Sequence, residues 1–89
     1  MALLKRLVLD VLKPHQPNAL EFSRKLAAVG LDYHIVLTVI EVDEKTETIQ
    51  LVIEGNDIDF EALQNVITSM SASLHSIDVV EVQSEPAAE

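Results

Sequence analysis

Apolar and polar residues alternate from Lys5 to Leu12 (KRLVLDVL), with Leu7, Leu9 and Val11 on one side and Arg6, Val8, Asp10 and Leu12 on the other. That period of two is a strand's. Lys13-Pro14-His15-Gln16-Pro17 breaks the ladder, since each proline lacks an N–H and constrains its predecessor. Asn18 stands where a helix cap is expected, and Ala19, Phe22, Leu26 and Val29 recur at three- and four-residue spacing. Gly30 is placed to stop this helix as its C′ residue. A second strand runs from Tyr33 to about Asp43, Asp43-Glu44-Lys45-Thr46 is a polar turn, and Glu47 to Glu54 completes a hairpin. After Gly55-Asn56-Asp57, a second helix covers about Asp59 to Ser71, with Phe60, Leu63, Val66, Ile67 and Met70 as its apolar stripe. Ser73 to Val82 is the last strand. Residues 1–82 form one domain, and the acidic segment 83–89 (QSEPAAE) is expected to be a disordered tail.

The order β-α-β-β-α-β predicts an α+β, ferredoxin-like fold: a four-stranded antiparallel sheet with both helices on one face. Leu7, Leu9, Val11, Ile35, Leu37, Val39, Ile49, Leu51 and Ile53 then face the helices. Alternation sends Val8, Leu12, Val36, Ile40, Val42, Val52 and Val80 to the open face, among Asp10, Thr38, Gln50 and Asp78. So many branched aliphatics on an uncovered sheet point to a subunit interface, with Val8, Leu12, Val36, Ile40, Val52 and Val80 as its residues. A half-solvated sheet, or a bulge that changes the parity, is the plainer alternative.

With 89 residues the chain has room for a single core, and its 48% hydrophobic content is enough to fill one. The absence of cysteine excludes thiol catalysis, disulfides and thiolate metal sites. No apolar run is long enough to span a membrane and no signal peptide is recognisable, so a cytoplasmic protein is expected. The net charge is −9. It is unevenly spread: residues 1–25 carry five bases against two acids, and residues 26–89 carry one base against thirteen acids. Such a chain repels phosphate over most of its length, which argues against nucleic acid and anionic membranes as partners. Three chemistries of this fold also fail on residues. The open central strands lack the stacking aromatics of RNA-recognition domains, a metal chaperone's cysteine pair is missing, and the first loop, KPHQPN, lacks an acylphosphatase's arginine and glycine.

Two constellations remain. Antiparallel pairing of the first and last strands brings His15 and His75 toward one end of the sheet. With Lys13 they would form a small-ligand or anion site, or part of a metal site. The structural alternative is a turn histidine and a hydrogen-bonded one. Asp10 and Asp78 fit nearly the same register, and two neighbouring carboxylates would invite Ca²⁺ or Mg²⁺ completed by another subunit. A salt bridge to Arg6 or Lys5, or solvation, is the alternative. Asp57, Asp59 and Glu61 mimic a calcium loop but lack its glycine and final glutamate, and are read as helix-start acids. Asp43, Glu44 and Glu47 are read as a solvated hairpin tip. No serine or threonine falls into a triad-like block.

The stretches RLVLDVLKPHQP, VIEVDEKTETIQLVIEGNDIDFEAL and HSIDVVEV resemble the signature blocks of a family of small archaeal proteins, domain of unknown function 211, over about residues 5 to 82. The segment GLDYHIV departs from its usual shorter, glycine-richer entry to the second strand. The resemblance implies the fold derived above and an oligomeric state, and it carries no established activity. The expectation is a non-catalytic homo-oligomer, a ring or other cyclic assembly, with an interaction or regulatory role and divalent cations at acidic inter-subunit sites. A ligand- or metal-sensing module with a pocket at the subunit boundary is the alternative, and an acid–base enzyme using His15 or His75 is a third reading.

Overall fold

The structure is a computed structural model that describes residues 2–86. It consists of β1 (Ala2–Pro14), α1 (Ala19–Ala27), β2 (His34–Val42), β3 (Thr46–Glu54), α2 (Phe60–Ser69) and β4 (Ser73–Ser84). All pairings are antiparallel, in the order β2-β3-β1-β4. This is the ferredoxin-like arrangement that the element order predicts. The core lies between the sheet and the helices, where Leu7, Leu9, Val11, Ile49, Leu51 and Ile53 meet Phe22, Leu26, Leu63 and Ile67. Ile35 and Leu37 pack against it from the β2 edge.

Both helices begin as the capping residues dictate. Asn18 accepts the Glu21 N–H at 2.9 Å, and Asp59 accepts the Ala62 N–H at 3.1 Å, so an acid at the second helix start has a structural task. The helix ends differ from expectation. Gly30 does not adopt a left-handed backbone; a Cβ there would lie 2.5 Å from the Tyr33 ring, so glycine permits the ring's close approach. The same ring lies over Gly55, and its hydroxyl accepts the Asp59 N–H at 2.7 Å, tying the loop before β2 to the start of α2.

Ser71 follows α2 with φ 62°. Its N–H donates to the Thr68 carbonyl at 2.9 Å, and the Ala72 N–H donates to the Ile67 carbonyl at 3.2 Å, which together form a Schellman motif. A non-glycine residue in the left-handed region costs about 1 kcal/mol. Ser71→Gly is therefore expected to stabilise the fold by about 0.5–1 kcal/mol, raising the melting temperature by roughly 4 °C. Thermal denaturation followed by circular dichroism checks this, and an unchanged or lower midpoint contradicts it.

Strand lengths and faces also differ from those the alternation predicts. β1 starts at Ala2 and continues through Pro14, which pairs opposite Thr46, so the first proline does not break the ladder. β4 reaches Ser84, which places Gln83 and Ser84 in the sheet instead of a tail; residues 87–89 of that tail lie outside the described residues. The β1–β4 ladder shifts register between Leu4 and Arg6, between Val8 and Leu9, and between Asp10 and Val11. The β2–β3 ladder shifts between Val39 and Glu41, making Ile40 the extra residue of a bulge. One consequence is that Val80 pairs with Leu7 and lies on the helix-side face, not the open one, and Val42, opposite Glu47, changes face likewise.

The open face is ordered in rows across the strands. His34, Glu54, Arg6 and Glu81 form a charged row; Val36, Val52, Val8 and Val79 an apolar row; Thr38, Gln50, Asp10 and Ser76 a polar row. Leu12 and Thr48 pair beyond these. Val8 is buried among its neighbours, whereas Val36 and Val79, at the two edges, are 43% and 41% exposed.

Candidate functional site

Lys13 continues the stripe Leu7-Leu9-Val11 and therefore points to the helix side, where it is completely buried. Its cross-strand partner is Glu47, which continues the facing stripe of Ile53, Leu51 and Ile49. The ammonium donates to Glu47 Oε1 at 3.1 Å, to the Pro14 carbonyl at 2.7 Å and to the His15 carbonyl at 3.5 Å. It also lies 5.8 Å from the centre of the Phe22 ring, on α1, within cation–π range. Three acceptors for three N–H groups satisfy the cation.

The second Glu47 oxygen is taken by His15. Nδ1 lies 3.1 Å from Glu47 Oε2, and Nε2 lies 3.0 Å from the Glu44 carbonyl at the hairpin tip. A carboxylate and a carbonyl only accept, so both ring nitrogens donate, and imidazolium is the form that completes the clamp. Accordingly the side-chain hydrogen bond to Glu47, helped by the Glu44 carbonyl, raises the His15 pKa above its ordinary 6.5. The hydrogen bonds from His15 and then Lys13 lower that of Glu47 below 4.5.

The signs set a pH window. The raised histidine contributes stability that is complete below 6.5 and is lost as pH rises through its folded value. The depressed glutamate contributes stability complete above 4.5 and lost as pH falls through its lowered value. The clamp is whole between the two. The wild-type melting temperature is therefore expected to fall between about pH 6 and about pH 8 by more than that of His15→Gln. Equal falls in the two proteins contradict the clamp.

His75 belongs elsewhere. The proposed register of His15 with His75 does not occur: His15 is engaged by the β2–β3 hairpin, while His75 is the extra residue where β4 slips between Ser76 and Leu74. It lines a shallow cavity of about 250 Å³ together with Asp10, Val11, Leu12 and Thr48. The expected Asp10–Asp78 pairing is likewise displaced. Asp10 faces Ser76, and Asp78 is the extra residue of the neighbouring bulge, its Oδ1 accepting from Ser76 Oγ at 2.7 Å. Among the described residues, no three His, Asp or Glu side chains converge as metal ligands. Sequence reasoning missed Glu47, assigned to a solvated tip, and missed Phe22 as the platform beneath Lys13. Residue parity was the available signal, since positions 13 and 47 extend two buried stripes with opposite charges.

The fold and site define a small ferredoxin-like domain with an internal lysine–glutamate–histidine clamp at one end of the sheet and a row-patterned open face. The chain belongs to the family of uncharacterized ArCR proteins (domain of unknown function 211), whose match covers residues 5–85. It is similar to an uncharacterized protein of Methanocaldococcus jannaschii, with 40% identity over 77 residues, 86% of this chain and 79% of that protein. No helix among the described residues is long and apolar enough to cross a membrane.

Proposed function

We propose that this protein works by self-association and not by catalysis, as a cytoplasmic homo-oligomer with an interaction or regulatory role. The observation that carries this reading is the apolar row Val36-Val52-Val8-Val79, which spans all four strands on the face the helices leave uncovered. Apolar area at its two edges is exposed, and covering it with a second copy removes it from water. The clamp supports the non-catalytic part: the Lys13 donors and both His15 nitrogens are committed to partners, which leaves no free base or nucleophile there. Light scattering coupled to size exclusion tests the reading. The wild type is expected at about twice its 9.8 kDa chain mass or more, and Val36→Asp/Val79→Asp as a folded monomer. A wild-type mass of one chain ends it.

One observation favours a second reading, a ligand- or cation-sensing module: the cavity carrying Asp10, Thr48 and His75 beside Leu12. Its polar groups suit a small cation, Ca²⁺ and Mg²⁺ included, or an amine. A rise in melting temperature with either ion or with a small amine, lost in Asp10→Asn, is the result this reading expects. Equal shifts in both proteins would indicate general screening of the acidic chain.

A further inference from the structure

The charged row has a pattern of its own. Read across β2-β3-β1-β4, it runs His34, Glu54, Arg6, Glu81. Reversing the row places a basic or N–H-donating side chain opposite an acid at each of its four positions. The neighbouring rows behave alike under the same reversal. The apolar row closes valine on valine, and in the polar row the Asp10 carboxylate meets a glutamine amide. Among the described residues Arg6, His34, Glu54, Glu81 and Asp10 take part in no salt bridge, and Arg6 makes none with the glutamates beside it.

We infer that the open sheet face docks a second copy of this chain about a two-fold axis running along the strands between β1 and β3, pairing Arg6 with Glu54 of the partner subunit and His34 with Glu81 of the partner subunit. This rests on the self-association reading and adds its register. A two-fold contact must be self-complementary, residue i meeting j while j meets i, and a row that sets a donor against each carboxylate when reversed meets that requirement. The opposite choice, an axis along the rows, lays Arg6 over the partner subunit's Asp10 but Glu54 over the partner subunit's Gln50 and Glu81 over the partner subunit's Ser76, so one of the three carboxylates gains a basic partner, against two of three in the first arrangement. Facing sheets pack about 10 Å apart at about −30°. One row from the centre, about 6.8 Å along the strand, this angle shifts facing positions by about 4 Å at Arg6 and about 5 Å at the edge position of His34, within the reach of an arginine or glutamate side chain.

His34 and Glu81 supply the decisive test because they occupy opposite edge strands. Three strand spacings of about 4.8 Å separate them within one chain, so coupling between them arises across copies. His34→Glu faces glutamate with glutamate twice per dimer, and Glu81→Lys faces lysine with imidazole. Each single variant is expected to weaken dimerisation about tenfold in sedimentation equilibrium, and His34→Glu/Glu81→Lys to recover the wild-type constant to within about threefold. Circular dichroism of each variant verifies the fold. Should a variant fail to fold, His34→Asp, Glu81→Arg and their double repeat the cycle at the same two edge positions. Single variants as tight as wild type, or a double variant no tighter than the weaker single, overturn this register while leaving self-association standing. A monomeric wild type overturns both.

Discussion

Lys13→Ala is expected to destabilise the fold by about 3 kcal/mol, at the lower end of the cost of removing one member of a buried ion pair. The ammonium is wholly buried and satisfies the Pro14 carbonyl, the His15 carbonyl and half of the Glu47 carboxylate. Alanine leaves these acceptors short of donors and opens a void beneath Phe22. The cost stays at the lower end because Glu47 keeps His15 and is itself 17% exposed. Lys13→Met retains the apolar stem and is expected to lose less, about 2 kcal/mol, since the stem's packing stays and only the interactions of the ammonium are lost. Lys13→Met/Glu47→Leu removes both charges and should recover part of that loss. Urea unfolding of the three variants reads these differences. Methionine alone proving as stable as lysine would show that the pair holds nothing together.

Phe22→Ala is expected to cost about 4 kcal/mol, a large fraction of the roughly 5–15 kcal/mol that holds a domain together. Phe22 is completely buried on the inner face of α1 and packs into the single core cluster. It also presents its ring to the Lys13 ammonium. The two roles are separable. Phe22→Leu keeps most of the apolar volume and loses the ring, so its cost should fall well below that of alanine. A double-mutant cycle between Phe22→Leu and Lys13→Met should show a coupling of about 0.5–2 kcal/mol. Additive losses would mean that ring and cation are neighbours without mutual stabilisation.

Most of the architecture was legible because period-two and helical patterns, capping residues and turn chemistry agree with one another along this chain. The stripes Leu7-Leu9-Val11 and Ile49-Leu51-Ile53 and the caps Asn18 and Asp59 fell where the pattern placed them. Bulges were not legible. Nothing in SLHSIDVV announces extra residues at His75 and Asp78, yet those slips separate His75 from His15, set Asp10 opposite Ser76 and carry Val80 to the other face. The clamp was half legible. Lys13 and His15 were singled out as a ligand site, whereas continuing the buried stripe by one step turns the lysine inward. An intramolecular carboxylate then becomes its natural partner. Glycine misled for a related reason: Gly30 looks like a helix stop, and its physical task is to make room for Tyr33.

Small-angle X-ray scattering of the unaltered chain tests the central claim, that a second copy covers the open sheet face. A single chain has a radius of gyration of 13.7 Å over its Cα atoms and a mass of 9.8 kDa. The forward intensity is expected to report at least two chains, with a radius of gyration clearly above the single-chain value and falling on dilution. A one-chain mass with the single-chain radius at every concentration would contradict the account.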